Sequence, residues 1–480
     1  MADYSPKKGG AQAVTMAQTE RTPLLPSKRQ DLVEEDVYDD YHEASVASGV
    51  FNLSTTIVGA GIMALPATMK VLGLPLGILS IIIMGILSEN SIQIMLRYSR
   101  PSGARSYGGL MGDAFGALGR VLVQLCIIIN NIGILIVYLI IIGDVLSGTS
   151  GAGKHYTGVL EEWAGGATWW NERTFVLFTI TVVILLPLVS FRHVDSLKWT
   201  SALSVALAVV FVVIIAGVTM WKLFAGEIPM PRLTPDVYDQ KSFWRLFTVI
   251  PVIMTAYICH HNVHPIANEL SGSVDSSDEK MQTVVRWSMF LCGTIYLCTA
   301  TFGYLLFGDA TGDDILSNFD TDLGVPFSHL ICIIVRISYA VHIMLVFPLL
   351  NFSLRLNLDS ILFPRATPLA HDTIRFALIT AFLVCSIFFG SAVVPNIWIV
   401  FQFTGATATV CLGFIFPALV LLKDKPLLAT KRDRQEAVVM VILAVLSSVV
   451  AVSTNLFNLL EPGTPGVPAG LTAYLGTSFN

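Results

Sequence analysis

The sequence predicts an all-α polytopic membrane protein with eleven transmembrane helices. Of its 480 residues, 54% are hydrophobic and 13% are charged, whereas a soluble domain has about 25% charged residues. A helix needs about 20 predominantly apolar residues to cross a bilayer, and eleven stretches of the chain meet that requirement. Two of these stretches, five spans apart, carry glycine, proline and polar residues near their middle, which a simple membrane anchor does not need.

The spans divide the chain into three parts. Residues 1–42 are rich in Lys, Gln, Ser, Pro and acidic residues, so we expect a disordered cytosolic tail. A transmembrane domain is expected over 43–457, followed by a short lumenal or extracellular tail over 458–480. The predicted spans are 45–70, 73–97, 117–147, 173–191, 199–224, 243–268, 283–307, 327–351, 372–393, 395–422 and 436–457.

Charge and cysteine usage narrow the class further. With the N-terminus in the cytosol, the inner segments hold about three times as many Lys and Arg residues as the outer ones. This bias predicts a cytosolic N-terminus and a C-terminus on the opposite side. The seven cysteines all lie in apolar spans, so no framework of loop disulfides is expected. No basic stripe indicates a nucleic-acid partner.

The first and sixth spans are predicted to be broken. Phe51–Pro66 reads FNLSTTIVGAGIMALP. Glycine costs about 1 kcal/mol in a helix interior, proline removes a donor, and hydrocarbon offers the freed groups no water. We therefore expect a break near Gly59–Gly61. The sixth span, Pro251–Leu270, also has a polar middle and contains Pro265. Such a pair predicts an inverted five-plus-five repeat with a binding site between the breaks.

Short motifs in these two spans resemble a known family. Phe51-Asn-Leu-Ser and Ile57-Val-Gly-Ala-Gly-Ile62 resemble the first helix of the sodium-coupled neutral amino acid transporters. The sixth-helix residues that resemble that group are Cys259-His260, Val263, Pro265-Ile266 and Glu269-Leu270. With eleven spans, the chain resembles the amino acid/auxin permease family, and most of all its plant vacuolar amino acid transporters. The resemblance covers about residues 43–457 and implies a LeuT-like fold of ten core helices plus one extra.

One departure from the family pattern bears on ion coupling. Sodium-coupled members carry Asn and then Ala where this chain has Thr55 and Thr56. The resemblance therefore implies proton coupling rather than sodium coupling, and export of amino acids from an acidic lumen to the cytosol. Two alternatives stay open at this point. One is a sodium-coupled neutral amino acid transporter of the plasma membrane, and the other is an amino acid sensor with little transport.

The candidate substrate-binding residues lie at the two predicted breaks and at a pair of polar residues in the third span. Glycines let backbone approach a carboxylate at the positive end of a half-helix, although small residues also serve helix packing. Buried amides such as Asn130 and its neighbour Asn131 are costly unless paired. The full set is Thr55, Thr56, Gly59, Ala60, Gly61, Asn130, Tyr257, Cys259 and His260.

The candidates for proton coupling are Thr55, His260 and Glu269. Imidazole titrates near pH 6.5 and suits a proton relay, but a neutral histidine bonded to a carbonyl is the alternative, and buried threonines back-bond to the i−4 carbonyl. His261 and His264 share the sixth span, yet no metal-binding motif is present, so no metal or cofactor is expected. Ionisable groups near membrane depth are functional hypotheses by default; besides Glu269 these are Glu89, Asp144 and Arg336, the last favoured as half of a structural ion pair.

A sorting signal is predicted in the N-terminal tail. Glu20, Leu24 and Leu25 fit the pattern Glu-x-x-x-Leu-Leu, which resembles signals that cytosolic adaptors read to send proteins to lysosomes or vacuoles. We therefore expect a vacuolar or lysosome-like membrane; an unread tail is the alternative. Gly148-Thr-Ser150-Gly151 resembles an intramembrane protease motif but falls in a loop, so no enzymatic activity is expected.

Overall fold

The computed structural model describes residues 44–460 except 152–153, 236, 271–273, 321, 395–396 and 424–428. Over this part of the chain it is a bundle of long helices with one two-stranded hairpin. The sorting motif in residues 1–42 and residues 461–480 of the C-terminal tail lie outside the described residues.

The helices follow one another in two halves. The first half comprises α1 (Val46–Ile57), α2 (Gly61–Leu72), α3 (Leu74–Ser102), α4 (Tyr107–Ser147), α5 (Val159–Ala164), α6 (Arg173–Ile180), α7 (Leu186–Val189) and α8 (Lys198–Phe224). The second half comprises α9 (Gln240–Tyr257), α10 (His260–Glu269), α11 (Val274–Phe307), α12 (Ser328–Leu362), α13 (Thr373–Val393), α14 (Ile397–Thr404), α15 (Phe416–Lys423) and α16 (Lys431–Leu460). Strands β1 (Gly148–Gly151) and β2 (Lys154–Thr157) pair antiparallel between α4 and α5.

Two spans contain π-helical turns. One turn, Thr181–Leu185, joins α6 to α7, and two more, Gly405–Thr409 and Cys411–Ile415, lie between α14 and α15. Such turns insert an extra residue into a helix without ending it. The fourth and tenth spans therefore run on through them as helical segments.

The predicted spans correspond to helices in the structure, but the count of eleven is not established. Among the described residues, nine helices are long and apolar enough to cross a membrane, and the bent pair α1–α2 makes a tenth span. The predicted fourth span is a shorter apolar segment, Arg173–Val189. At 1.5 Å per residue it reaches about 26 Å, slightly less than a hydrocarbon core of about 30 Å.

Local backbone geometry explains where the third span starts. Gly103, with φ 70°, ends α3 in the left-handed conformation that glycine adopts without strain. The Ser106 side chain then accepts the Gly109 N–H at 2.9 Å and caps α4. Gly116, with φ 69° and ψ −162°, interrupts α4. The predicted start of the span at residue 117 therefore follows directly after the interruption.

Helix packing brings the two broken spans together at the centre. α1 packs against α8 and α11, α2 packs against α9 and α11, and α12 packs against α4 and α8. The first and sixth spans approach each other closely at Gly61, where an added Cβ would lie 2.7 Å from the Cα of Ala256. Only a residue without a side chain fits between these backbones.

Candidate functional site

The predicted break of the first span is confirmed. α1 ends at Ile57, α2 begins at Gly61, and the two helices are bent by 54°. In a continuous helix the Ile62 N–H would reach the Val58 carbonyl; here it donates to the Gly59 carbonyl at 3.3 Å. The break therefore frees the Val58 carbonyl from the helical hydrogen-bond pattern.

Three buried rings bind the carbonyl groups at this break, and none of them was predicted from the sequence. They come from the seventh span (α11) and the eighth span (α12). The pairs are Tyr296 with Ile57 at 2.5 Å, His342 with Val58 at 2.9 Å, and Tyr339 with Gly59 at 3.0 Å. Because a buried carbonyl without a partner is costly, these rings stabilise the broken conformation.

The sixth span is also broken, as predicted. α9 ends at Tyr257, Ile258 is extended with ψ 117°, and α10 begins at His260. The Tyr296 hydroxyl lies 2.6 Å from the carbonyl oxygen of Ala256, near the end of α9. One phenol thus contacts a carbonyl at each break and holds the two interruptions next to each other.

A small cavity lies between the two breaks. Its polar side is formed by the first-span break and by the N-terminus of α2, and its other walls are mainly apolar. The lining residues are Thr56, Ile57, Gly59, Ala60, Gly61, Ile134, Tyr138, Thr255, Ile258, Leu350 and Phe401. The free space holds about one water molecule. An amino acid would therefore need side chains at the cavity to move.

The sequence analysis missed Tyr138 of the third span. A Cβ added to Gly59 would lie 2.0 Å from the Tyr138 hydroxyl oxygen, which is also hydrogen-bonded to the backbone of Ala60. The hydroxyl therefore occupies the space beside the first-span break. A signal for it was present in the sequence, because positions 130, 134 and 138 share one face of a helix.

Four of the predicted binding residues line the cavity, namely Thr56, Gly59, Ala60 and Gly61. The Thr56 hydroxyl also makes the i−4 back-bond to the Asn52 carbonyl, at 2.9 Å, and accepts the Asn262 amide at 3.0 Å.

Thr55 lies elsewhere. Its hydroxyl donates to the Ser201 carbonyl of α8 at 2.9 Å. Thr55 therefore ties the first span to the fifth, and it is absent from the residues that line the cavity.

Asn130 also lies outside the cavity lining. Its amide oxygen accepts the Thr409 hydroxyl at 2.7 Å, and its amide nitrogen donates to Asn131 at 3.0 Å. The Asn131 amide donates in turn to the Leu350 carbonyl at 3.2 Å. The pair thus links the third, eighth and tenth spans, and a role in substrate binding stays a prediction.

Tyr257, Cys259 and His260 are buried away from the cavity wall. The Tyr257 ring packs edge-on against Tyr296, with 5.0 Å between the ring centroids. The Nε2 of His260 lies 3.0 Å from the Ser91 hydroxyl of α3. These contacts connect the sixth span to the second and seventh spans, and direct contact with a substrate stays a prediction.

The other two histidines of the sixth span have different surroundings. The Nε2 of His264 lies 2.8 Å from the Ser99 hydroxyl. Both ring nitrogens of His261 are buried without a hydrogen-bond partner among the described residues. Within that part of the chain, no group of three or more His, Cys, Asp or Glu residues is placed to hold a metal ion.

Glu269 lies at the end of α10 and is absent from the residues that line the cavity. One carboxylate oxygen accepts the Val194 N–H at 2.9 Å, just before α8. Nearby, the Ser48 hydroxyl of α1 donates to Asp195 at 2.9 Å. Glu269 thus belongs to a set of contacts that joins the first, fifth and sixth spans at the end where α1 begins.

The other predicted ionisable groups lie in varied settings. The Arg336 guanidinium donates to Glu162 at 2.7 Å and lies 3.6 Å from Asp320. Asp144 pairs with Arg173, and Glu89 is half-buried. The Arg336 contacts are those of an ion pair that links the eighth span to α5 and to the connection between α11 and α12.

Comparisons with known proteins agree with the fold and the motifs. The family described as transmembrane amino acid transporter protein matches residues 42–457. The amino acid transporter AVT6A of Arabidopsis thaliana is 52% identical over 443 residues, which cover 92% of this chain and 94% of that protein. AVT6B of the same plant is 52% identical over 427 residues, covering 88% and 92%.

Solved structures show the fold. A manganese transporter of Eremococcus coleocola superposes with a TM-score of 0.59 at 10% identity, covering 90% of each chain. MhsT in complex with L-phenylalanine gives a TM-score of 0.52 at 12% identity, covering 86% of this chain and 99% of that one. These matches confirm the predicted LeuT-like architecture. With the family match and the relatives above, they lead to one conclusion: the chain belongs to the transmembrane amino acid transporter family.

Proposed function

We propose that this protein is a secondary active transporter of amino acids that couples export from an acidic lumen to the cytosol to the movement of protons. The observation that carries the proposal is the cavity between two broken helices, with the N-terminus of α2 on one side. Broken helices of this kind present free backbone groups and dipole ends to a bound zwitterion. The names of the Arabidopsis relatives, amino acid transporters AVT6A and AVT6B, support an amino acid as the substrate.

The cavity offers complementary groups to each part of an amino acid. The N–H groups at the start of α2 and the Tyr138 hydroxyl suit the carboxylate, because a helix N-terminus attracts negative charge. The hydroxyl oxygens of Thr56 and Thr255 suit the ammonium group, because each can still accept a hydrogen bond while its own proton is donated to the carbonyl four residues earlier.

The side-chain part of the cavity favours neutral substrates. Ile134, Ile258, Leu350 and Phe401 form its apolar wall, and no charged residue is among the described residues that line it. An acidic or basic side chain would lose its hydration there without gaining an opposite charge. We therefore propose small to medium neutral amino acids as the preferred substrates.

Proton coupling is proposed in preference to sodium coupling. Thr55 stands where sodium-coupled relatives carry an amide. Its hydroxyl donates a hydrogen bond to the Ser201 carbonyl. This contact supports a structural role for Thr55 between the first and fifth spans. An acidic lumen would supply the proton, which fits a vacuolar membrane with the N-terminus in the cytosol and the C-terminus in the lumen.

The test is uptake of labelled amino acids by the full-length protein in proteoliposomes. We expect an imposed pH gradient, acidic on the side from which substrate is taken, to drive accumulation of neutral amino acids without sodium. Accumulation that needs sodium and ignores pH would instead establish the plasma-membrane type of coupling. Saturable binding with no uptake under either gradient would contradict transport and favour a sensor.

A further inference from the structure

The side chain of His342 lies where three spans meet. It belongs to α12 and is fully buried, and the sequence analysis did not identify it as a candidate site residue. Its Nε2 lies 2.9 Å from the Val58 carbonyl oxygen at the first-span break. Its Nδ1 lies 2.8 Å from the Ser204 carbonyl oxygen and 2.9 Å from the Ser204 hydroxyl, both on α8. The imidazole therefore joins the first, fifth and eighth spans.

Both ring nitrogens of His342 have a hydrogen-bond partner whether the imidazole is neutral or charged. A carbonyl oxygen only accepts, and a neutral imidazole has a single N–H. With the neutral ring, Nε2 donates to Val58 and Nδ1 accepts the Ser204 hydroxyl. With the charged ring, Nε2 still donates to Val58, while Nδ1 donates to the Ser204 carbonyl. Adding a proton thus replaces one hydrogen bond by another and leaves no ring nitrogen unpaired.

Protonation of His342 also acts directly on the first-span break. The Val58 carbonyl is freed by that break, and the Nε2 of His342 is the side-chain donor that reaches it. Hydrogen bonds from a charged donor are roughly twice as strong as neutral ones. A proton on the ring therefore strengthens the hold of α8 and α12 on the break, one residue away from the cavity-lining Gly59.

The surroundings of the ring contain phenols rather than charges. Tyr339, on the same helix, has its ring centroid 5.4 Å from that of His342. Tyr138 of α4 and Tyr296 of α11 are the titratable groups that the neighbouring spans place at the break. None of the ion pairs between described residues includes His342. A proton on the ring therefore competes with no fixed positive charge, and carbonyl oxygens rather than a paired carboxylate would accept its two N–H groups.

The histidines of the sixth span lack this double set of acceptors. His260 and His264 each have an Nδ1 without a hydrogen-bond partner among the described residues, and His261 has neither ring nitrogen paired. A second proton on any of these rings would meet no acceptor in this conformation. The distinction rests on geometry that the spacing of histidines in the sequence does not show.

We propose that His342 carries the coupled proton. In the state that is open to the lumen, its Nδ1 binds the proton, and the charged ring holds the first-span break in the conformation that binds substrate. The ring releases the proton to the cytosol when the first, fifth and eighth spans move apart. This inference rests on the proton-driven transport proposed above. Because a single ring titrates, one proton would move in each transport cycle.

The experiment compares two transport modes of the full-length protein in proteoliposomes. His342→Gln keeps a side-chain N–H for the Val58 carbonyl but cannot take up a proton. We expect this variant to exchange labelled for unlabelled amino acid across the membrane, while it no longer accumulates substrate in response to a pH gradient. His371→Gln, at an exposed loop histidine, is the matched control and should retain accumulation.

A second variant leaves the imidazole in place. Ser204→Ala removes the hydroxyl that pairs with the neutral ring but keeps the carbonyl that pairs with the charged ring. The pH midpoint of uptake should therefore move upward by roughly half a unit, the size expected for one neutral hydrogen bond. An unchanged midpoint would overturn the assignment even if His342→Gln failed to fold.

The two proposals fail in different ways. If the unmodified protein shows no pH-driven accumulation, proton-coupled transport itself is wrong. If it does accumulate substrate, and His342→Gln still accumulates it under the same gradient, then transport stands and His342 is not the proton carrier. Loss of accumulation together with loss of exchange is resolved by the Ser204→Ala midpoint.

Discussion

Because Gly59 has no Cβ atom, the Tyr138 hydroxyl can lie directly beside the first-span break. The Tyr138 hydroxyl oxygen lies 2.0 Å from the position that a Cβ would take. Two nonbonded atoms cannot approach that closely, so either the phenol or the break must move when a side chain is added. The glycine and the tyrosine are therefore a matched pair, and the cavity wall depends on both.

We predict that Gly59→Ala reduces amino acid uptake by roughly five- to 150-fold, because overpacking here costs roughly 1–3 kcal/mol. Gly59→Ala combined with Tyr138→Phe should recover part of this loss, since the nearest remaining ring atom, Cζ, is 3.1 Å from the added carbon. Uptake in proteoliposomes measures both effects.

The control for this pair is Gly217→Ala in α8, where an added Cβ meets nothing within 4 Å. It should leave uptake unchanged. Equal activity of Gly59→Ala and Gly217→Ala would show that the Tyr138 contact does not limit the site.

At the scale of elements, the loop between α11 and α12 carries a carboxyl group in unusual surroundings. Asp314 retains some solvent exposure, yet removal of water by the surrounding loop raises its pKa from 3.8 to about 7. The Leu316 N–H, which donates to it at 2.9 Å, opposes this rise, and Asp144 and Asp313 add to it. Protonated Asp314 therefore fits the folded loop better than the ionised form.

The sign of the resulting pH dependence follows from linkage. A carboxyl group whose pKa is higher in the folded than in the unfolded state destabilises the fold once it ionises. The favourable contribution is complete below about pH 4 and is lost as the pH rises through 7. On a lumenal face, an acidic compartment would therefore stabilise this loop.

We predict that Asp314→Asn raises the melting temperature of the purified protein at pH 8 by about 2 °C and has little effect near pH 4. The amide oxygen can still accept the Leu316 N–H. Asp322→Asn in the same loop is the control, because the Gly324 N–H lowers the pKa of Asp322. If both variants respond alike across pH, burial of Asp314 is not the cause.

At the scale of the whole molecule, contacts link distant segments on both sides of the cavity. At the end where α1 begins, Glu269 accepts the Val194 N–H at 2.9 Å. At the opposite end, Arg336 pairs with Glu162 at 2.7 Å, and the Lys70 ammonium donates to a loop carbonyl at 3.0 Å. In the alternating-access transport proposed above, these two sets would open in turn while the breaks remain joined.

The membrane in which the protein resides is predicted to depend on a motif in the N-terminal tail. We predict that a fluorescent fusion of the protein lies in the vacuolar membrane and that Leu24→Ala with Leu25→Ala moves it to another membrane, because the Glu20-x-x-x-Leu-Leu pattern is lost. Leu32→Ala with Val33→Ala changes an apolar pair in the same tail and should leave localisation unchanged. Vacuolar fluorescence in both variants would remove the sorting hypothesis.

The spans and both breaks were predicted from the sequence alone, because bilayer thickness fixes the length of an apolar helix and glycine and proline weaken it locally. The same pattern placed Gly59, Ala60 and Gly61 at the cavity. The count of eleven crossing helices stays a prediction, because the short fourth segment lies near the limiting length.

Only the tertiary structure decided which side chains meet the freed backbone. Asn130 looked like a pocket residue but bonds to Thr409, whereas Tyr138, two turns further along the same face, reaches the break. His342 lies 284 positions from the carbonyl it binds. A broken helix shows in its own sequence, but the partners of its carbonyls depend on how distant spans pack, and no local pattern encodes that packing.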